Sequence, residues 1–150
     1  MTWLLLIAAL MMGSVLPLQA GINAQLRSYV GNTAIAACIS FIVGTIFLFA
    51  STVILRVPWP AFSSLGQAPW WAWTGGLLGA VFVFLAIVLA DALGAAVMVG
   101  FIITGQMITS LILDHYGLVG YARQPINAPR IIGAVLLLAG VFLIRYKGGS

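Results

Sequence analysis

Residues 33–55 read TAIAACISFIVGTIFLFASTVIL, a stretch with no formally charged side chain. Its only polar groups are the hydroxyls of Thr33, Ser40, Thr45, Ser51 and Thr52 and the thiol of Cys38. A helix needs about 20 apolar residues to cross roughly 30 Å of hydrocarbon. This stretch meets that length. A barrel strand would alternate apolar and polar residues over a shorter run, whereas here apolar side chains fill successive positions without alternation. The stretch predicts a transmembrane helix, and the chain an all-α integral membrane protein.

Four further runs match it. With the first, the predicted spans are 2–20, 33–55, 70–90, 93–113 and 131–146, forming one transmembrane domain over 1–150. Six Lys and Arg and two Asp make the chain 5% charged, against about 25% for a soluble domain. Hydrophobic residues reach 63% and the mean hydropathy is +1.20. So few charges cannot surface a soluble enzyme or a nucleic-acid binder. The basic residues are scattered, so no polybasic run is available for nucleic acid. A single cysteine, Cys38, excludes an internal disulfide. No set of His, Cys or acids stands at metal-ligand spacing, and no cofactor or catalytic motif is present. No catalytic residue is therefore assigned.

Residues 1–20 have the length of a signal peptide but lack its positive n-region. Gln19, Asn23 and Arg27 continue past them in helical register, so a span is the better reading. The third and fourth runs are separated only by Asp91 and Ala92, which predicts a tight helical hairpin with Asp91 capping the fourth helix. Pro129 suits the first turn of the last helix. Small residues four apart predict close helix packing: Ala36, Ser40 and Gly44; Gly75 and Gly79; Gly76 and Ala80; Ala96, Gly100 and Thr104.

Five spans put the termini on opposite faces. Arg56, Arg123 and Arg130 fall on the face of the N-terminus, side A; Arg27, Arg145 and Lys147 fall on side B. Orientation follows the Lys/Arg bias of the loops, and here the bias is nil. Either one unread feature fixes the orientation, or the chain inserts both ways and pairs antiparallel. Trp3, Trp59, Trp70, Trp71, Trp73, Tyr116 and Tyr121 gather on side A, with Tyr29 and Tyr146 on side B. An antiparallel pair would give both leaflets the same aromatic belt.

Several stretches resemble the YdcZ-type family of small bacterial membrane proteins. They are Gly21 to Leu26, Gly31, Ile39 to Thr45, Trp73 to Ala80, Gly105-Gln106, Ser110 to Gly117, and Pro125, Arg130 and Gly133. The resemblance covers nearly the whole chain. It implies a half-unit of the drug/metabolite transporter superfamily in the bacterial inner membrane, an exporter assembled from two antiparallel units. The partner would be a second copy or a homologous sister chain. Small multidrug exporters of that superfamily depend on a membrane-embedded Glu in the first helix. This chain has no Glu, which argues against a lipophilic-cation antiporter of that type.

Polar groups at membrane depth are costly and mark functional sites. Gln106, Ser110 and Asp114 lie four apart on the fourth span, one stripe of one helix. They suit the wall of a substrate path, with Asp114 as a coupling or gating acid that takes a proton or a cation. The competing reading is an interfacial acid paired with Arg56, Arg123 or Arg130. Gln19, Asn23 and Arg27 form a second stripe on the first span, beside Pro17 and Gly21, where a loosened or broken helix would expose backbone groups to a substrate. Helix–helix hydrogen bonding would need the same amides. Gln19, Asn23, Gln106 and Ser110 are the expected substrate contacts. In an antiparallel dimer Arg27 would reach the depth of the partner copy's acid at 114 and form a gating ion pair. His115 is expected to be solvated at the interface. The resulting reading is a secondary transporter of small organic solutes with lipid and a second chain as partners. A dual-topology channel and a non-transporting membrane-complex subunit are the alternatives.

Overall fold

The computed structural model describes residues 2–146; Lys147, counted above on side B, lies outside them. The described chain is helical. Helix α1 spans Thr2–Val30, α2 Thr33–Ile54, the single turn α3 Phe62–Leu65, α4 Gly75–Leu93, α5 Ala95–Tyr116 and α6 Ala128–Arg145. Short 3-10 turns at Trp70–Thr74 and Leu118–Gly120 precede α4 and follow α5. Among the described residues, five helices are long and apolar enough to cross a membrane: α1, α2, α4 with its preceding turn, α5 and α6.

The ends of these helices are written in local chemistry. Gly31, at φ +74°, stops α1 and donates its N–H to the Arg27 carbonyl at 2.8 Å. Asn32 then caps α2, its Oδ1 accepting from the N–H groups of Ala34 and Ile35 at 2.8 and 3.2 Å. Gly117, at φ +65°, ends α5 in the left-handed region, where a side chain is strained. Asn127 caps α6 by accepting from the Arg130 N–H at 3.1 Å, and Pro129 lies in the first turn as predicted. Replacing Asn127 with Ala is expected to destabilise α6 by about 1 kcal/mol, read as unfolding at lower SDS fraction in a detergent titration.

Two expectations about helix ends are corrected. Asp91 does not cap the following helix: it lies inside the last turn of α4, and Gly94, at φ +73°, holds the cap position of α5 with no side-chain bond. The glycine can take a conformation that breaks the helix in one residue, so no acid is required there. Helix α1 is also not broken at Pro17. It runs on as one helix to Val30, ten residues past the predicted end. Proline removes one donor, but with no water in the hydrocarbon the remaining backbone bonds are too costly to give up.

The helices group into two compact units, Met1–Ala92 and Leu93–Ser150. In the first, Ala36 and Ala37 of α2 form a core with Val83 and Ile87 of α4, against which Leu26, Val30 and Phe82 pack. Ala36 and Ile87 are fully buried. The Phe41 ring lies 3.6 Å from where a Cβ on Gly79 would stand. In the second unit α5 packs along α6. Val141 presses onto Gly100, and Phe101 meets Phe142 edge to face with ring centroids 5.9 Å apart. Most other large apolar side chains are exposed along the spans, the surface that lipid or a second chain would cover.

Candidate functional site

In the second unit, Ser110 and Asp114 stand one turn apart on α5, and the Asn127 cap sets Arg130 in the first turn of α6. A cation at a helix N-terminus is disfavoured by the helix dipole, which a nearby acid offsets. Asp114 is that acid: Arg130 Nη1 donates to Asp114 Oδ2 at 3.5 Å. The same Nη1 also donates to the Gln124 backbone carbonyl at 3.3 Å, and Nη2 donates to the Gln124 side-chain Oε1. Gln124 is itself tied down, its N–H donating to the Asp114 carbonyl at 2.7 Å.

Ser110, Asp114 and Arg130 form the polar end of an open cleft of about 470 Å³, whose lining is completed by Met107, Leu111, Gly133, Ala134 and Leu137. The rest of the wall is apolar. Both charged side chains keep some exposure, 28% for Asp114 and 30% for Arg130, so a solute can reach them.

The loop after α5 is pinned beside this cleft. His115 Nδ1 accepts from the Ile126 N–H at 3.1 Å, and Arg123 Nε donates to the His115 carbonyl at 3.3 Å. His115 is thus a structural tie rather than the merely solvated residue expected. Its role was not visible because the partner backbone lies eleven residues away.

In the first unit, Arg27 near the end of α1 forms an ion pair with Asp91 near the end of α4. Both side chains are about half exposed, at 39% and 52%. Asn23, one turn before Arg27, is buried with 4% exposure. Gln19 is exposed and lines a shallow cleft of about 190 Å³ with Ser40, Phe41, Gly44, Thr45 and Leu48.

The stripe on α5 is thus split: Ser110 and Asp114 meet in the cleft, whereas Gln106 is exposed and does not line it. The stripe on α1 is split as well, between buried Asn23 and exposed Gln19. Arg27 and Asp114 each have a partner within their own unit, so a cross-chain pair between them would have to displace both. The pairing of Asp114 with Arg130 is the competing reading of the sequence, whereas Asp91, expected as a cap, is found paired with Arg27. Chemically, the cleft offers a carboxylate and a guanidinium held slightly apart at the edge of an apolar wall.

Three comparisons bear on this arrangement. A model of the family described as "Putative inner membrane exporter, YdcZ" matches residues 4–143. The inner membrane protein YdcZ of Escherichia coli (strain K12) is 32% identical over 114 residues, 75% of each chain. No solved structure matches the chain.

Proposed function

The chain belongs to the YdcZ family of inner-membrane exporters, as a multi-pass protein of the bacterial inner membrane, and from that membership we propose how it works. It is a secondary transporter that exports small organic metabolites or drugs. It acts as an antiparallel homodimer inserted in both orientations, with alternating access and Asp114 as the proton-coupling group. The observation that carries this reading is the cleft in the membrane helices α5 and α6, where Ser110, Asp114 and Arg130 converge.

The dimer is supported by a second observation. Gln106 stands near the middle of α5 and is exposed on the single chain. An amide left without partners in hydrocarbon costs several kcal/mol. Cover by other helices of the assembly, or a wet path between two chains, removes that cost. The even split of Lys and Arg between the two faces suits a chain that inserts both ways.

The test begins with topology. In a Cys38→Ala background, a cysteine at position 150 is labelled in intact cells with an impermeant maleimide, before and after permeabilisation. About half of the chains are expected to label from outside, the even split that a tied charge bias gives. Labelling of all or none overturns the antiparallel homodimer. Proteoliposomes are then assayed for counterflow across a panel of radiolabelled metabolites, which a channel would not show. Asp114→Asn is expected to lower proton-driven flux at least tenfold, about 1.4 kcal/mol of lost coupling. Unchanged flux removes Asp114 from the mechanism.

A further inference from the structure

The chemistry of the cleft narrows the substrate class. We infer that the Ser110–Asp114–Arg130 cleft binds a zwitterion, an α-amino acid or a solute of the same charge pattern, with an apolar side chain. The inference rests on the transporter reading above and deepens it.

The ion pair at the polar end is a loose one. Its only contact is Nη1 to Oδ2 at 3.5 Å, longer than the 2.7–2.9 Å usual for a charge-assisted bond. The ammonium and carboxylate of an α-amino acid stand roughly 3 Å apart at their nearest atoms. Such a head group fits alongside the pair, ammonium on Asp114 and carboxylate on Arg130. Two short charge-assisted bonds then join the one long contact. Ser110, one turn along α5 from Asp114, adds a hydroxyl that can donate or accept. Met107, Leu111 and Leu137 form the adjoining wall and suit an aliphatic or aromatic side chain. The volume of about 470 Å³ lies within the 300–1,000 Å³ common for small-ligand sites.

Charge balance selects against the alternatives. The empty pair is neutral, and so is the pair with a zwitterion bound. A cation would compete with Arg130 for Asp114 and leave the guanidinium without its acid. An anion would do the reverse. At a site bordered by hydrocarbon, an unpaired charge is strongly disfavoured.

The test uses the full chain in lipid nanodiscs with radiolabelled L-leucine as probe. Leucinamide, a cation, and N-acetyl-L-leucine, an anion, serve as competitors. Leucine is expected to bind saturably and at least tenfold more tightly than either. Arg130→Gln should invert the preference toward leucinamide, and Asp114→Asn toward N-acetyl-leucine. Arg130→Lys, which keeps the charge, should still favour leucine; its monodisperse elution separates a binding defect from a folding one. Wild-type chain that binds leucine no better than its amide or its acetyl form overturns the inference. If such a preparation still shows counterflow of another solute, the transporter reading stands and only the zwitterion class fails. If no solute of any charge moves, the transporter reading fails with it.

Discussion

Gly100→Leu is expected to pull α5 from α6 and destabilise the second unit by about 3 kcal/mol, the upper end of the cost of overpacking. A Cβ at this position would stand 2.8 Å from Val141 Cγ2 and 3.1 Å from Val141 Cγ1. Val141 is itself buried and β-branched, so it has little rotamer freedom with which to move aside. The sign is informative for the smaller substitution too. In an exposed helix interior, Gly→Ala stabilises by about 1 kcal/mol. Gly105→Ala, where nothing lies within 4 Å, should follow that rule, whereas Gly100→Ala should destabilise. Val141→Ala removes the obstructing methyl groups and should recover most of the Gly100→Ala loss in the double variant. SDS titration followed by circular dichroism reads all four. Equal behaviour of Gly100→Ala and Gly105→Ala would mean that the helices are not in close approach at this point.

That contact was legible in outline. Ala96, Gly100 and Thr104 form a small-residue row, and two of the three do close packing work: Gly100 sits under Val141 and Thr104 is buried, its hydroxyl donating to the Gly100 carbonyl at 2.9 Å. On the other rows Ala36 is fully buried and Gly79 lies beneath Phe41. Spans and small faces could be read because each depends on one helix's own periodicity. The helix ends were harder. The first span continues from its predicted end at 20 to Val30 because a helix outlasts the hydrocarbon once its polar side chains reach the headgroups.

The site was legible in part, for a geometric reason. Residues four apart on a helix drift by about 40° around its axis. Gln106 and Asp114 therefore face directions about 80° apart, although both belong to one sequence stripe. Ser110 and Asp114 can share a cleft that Gln106 does not line. Ion-pair partners were the least legible feature. Arg27 and Asp91 are separated by 64 residues, and only the packing of α1, α2 and α4 brings them together. A sequence pattern names charges that need partners. It does not choose among them when Asp91 and Asp114 are both candidates.

Reversing the charge at Arg27 gives the second large effect, because it acts on stability and on insertion at once. Arg27→Asp places two carboxylates together. Both positions are about half exposed, so solvent screening holds the stability loss to about 1 kcal/mol. The same substitution leaves three Arg on side A against two basic residues on side B. A Lys or Arg near the surface contributes about 1 kcal/mol of orientational preference, enough to turn an even distribution into roughly five to one. The face with more positive charge stays cytoplasmic, so labelling from outside at position 150 should rise well above half. The exchange Arg27→Asp with Asp91→Arg restores both quantities. It rebuilds the pair and returns an arginine to the same face. Arg27→Asp with Asp114→Arg should restore neither: the new arginine lies on side A by span count, deepening the imbalance, and Asp91 still faces an acid. Rescue by the change at 114 and not at 91 would mean that Arg27 pairs across two chains in the membrane, against the pairing within one. Rescue by 91 alone identifies the link between α1 and α4 within one chain as the native pairing.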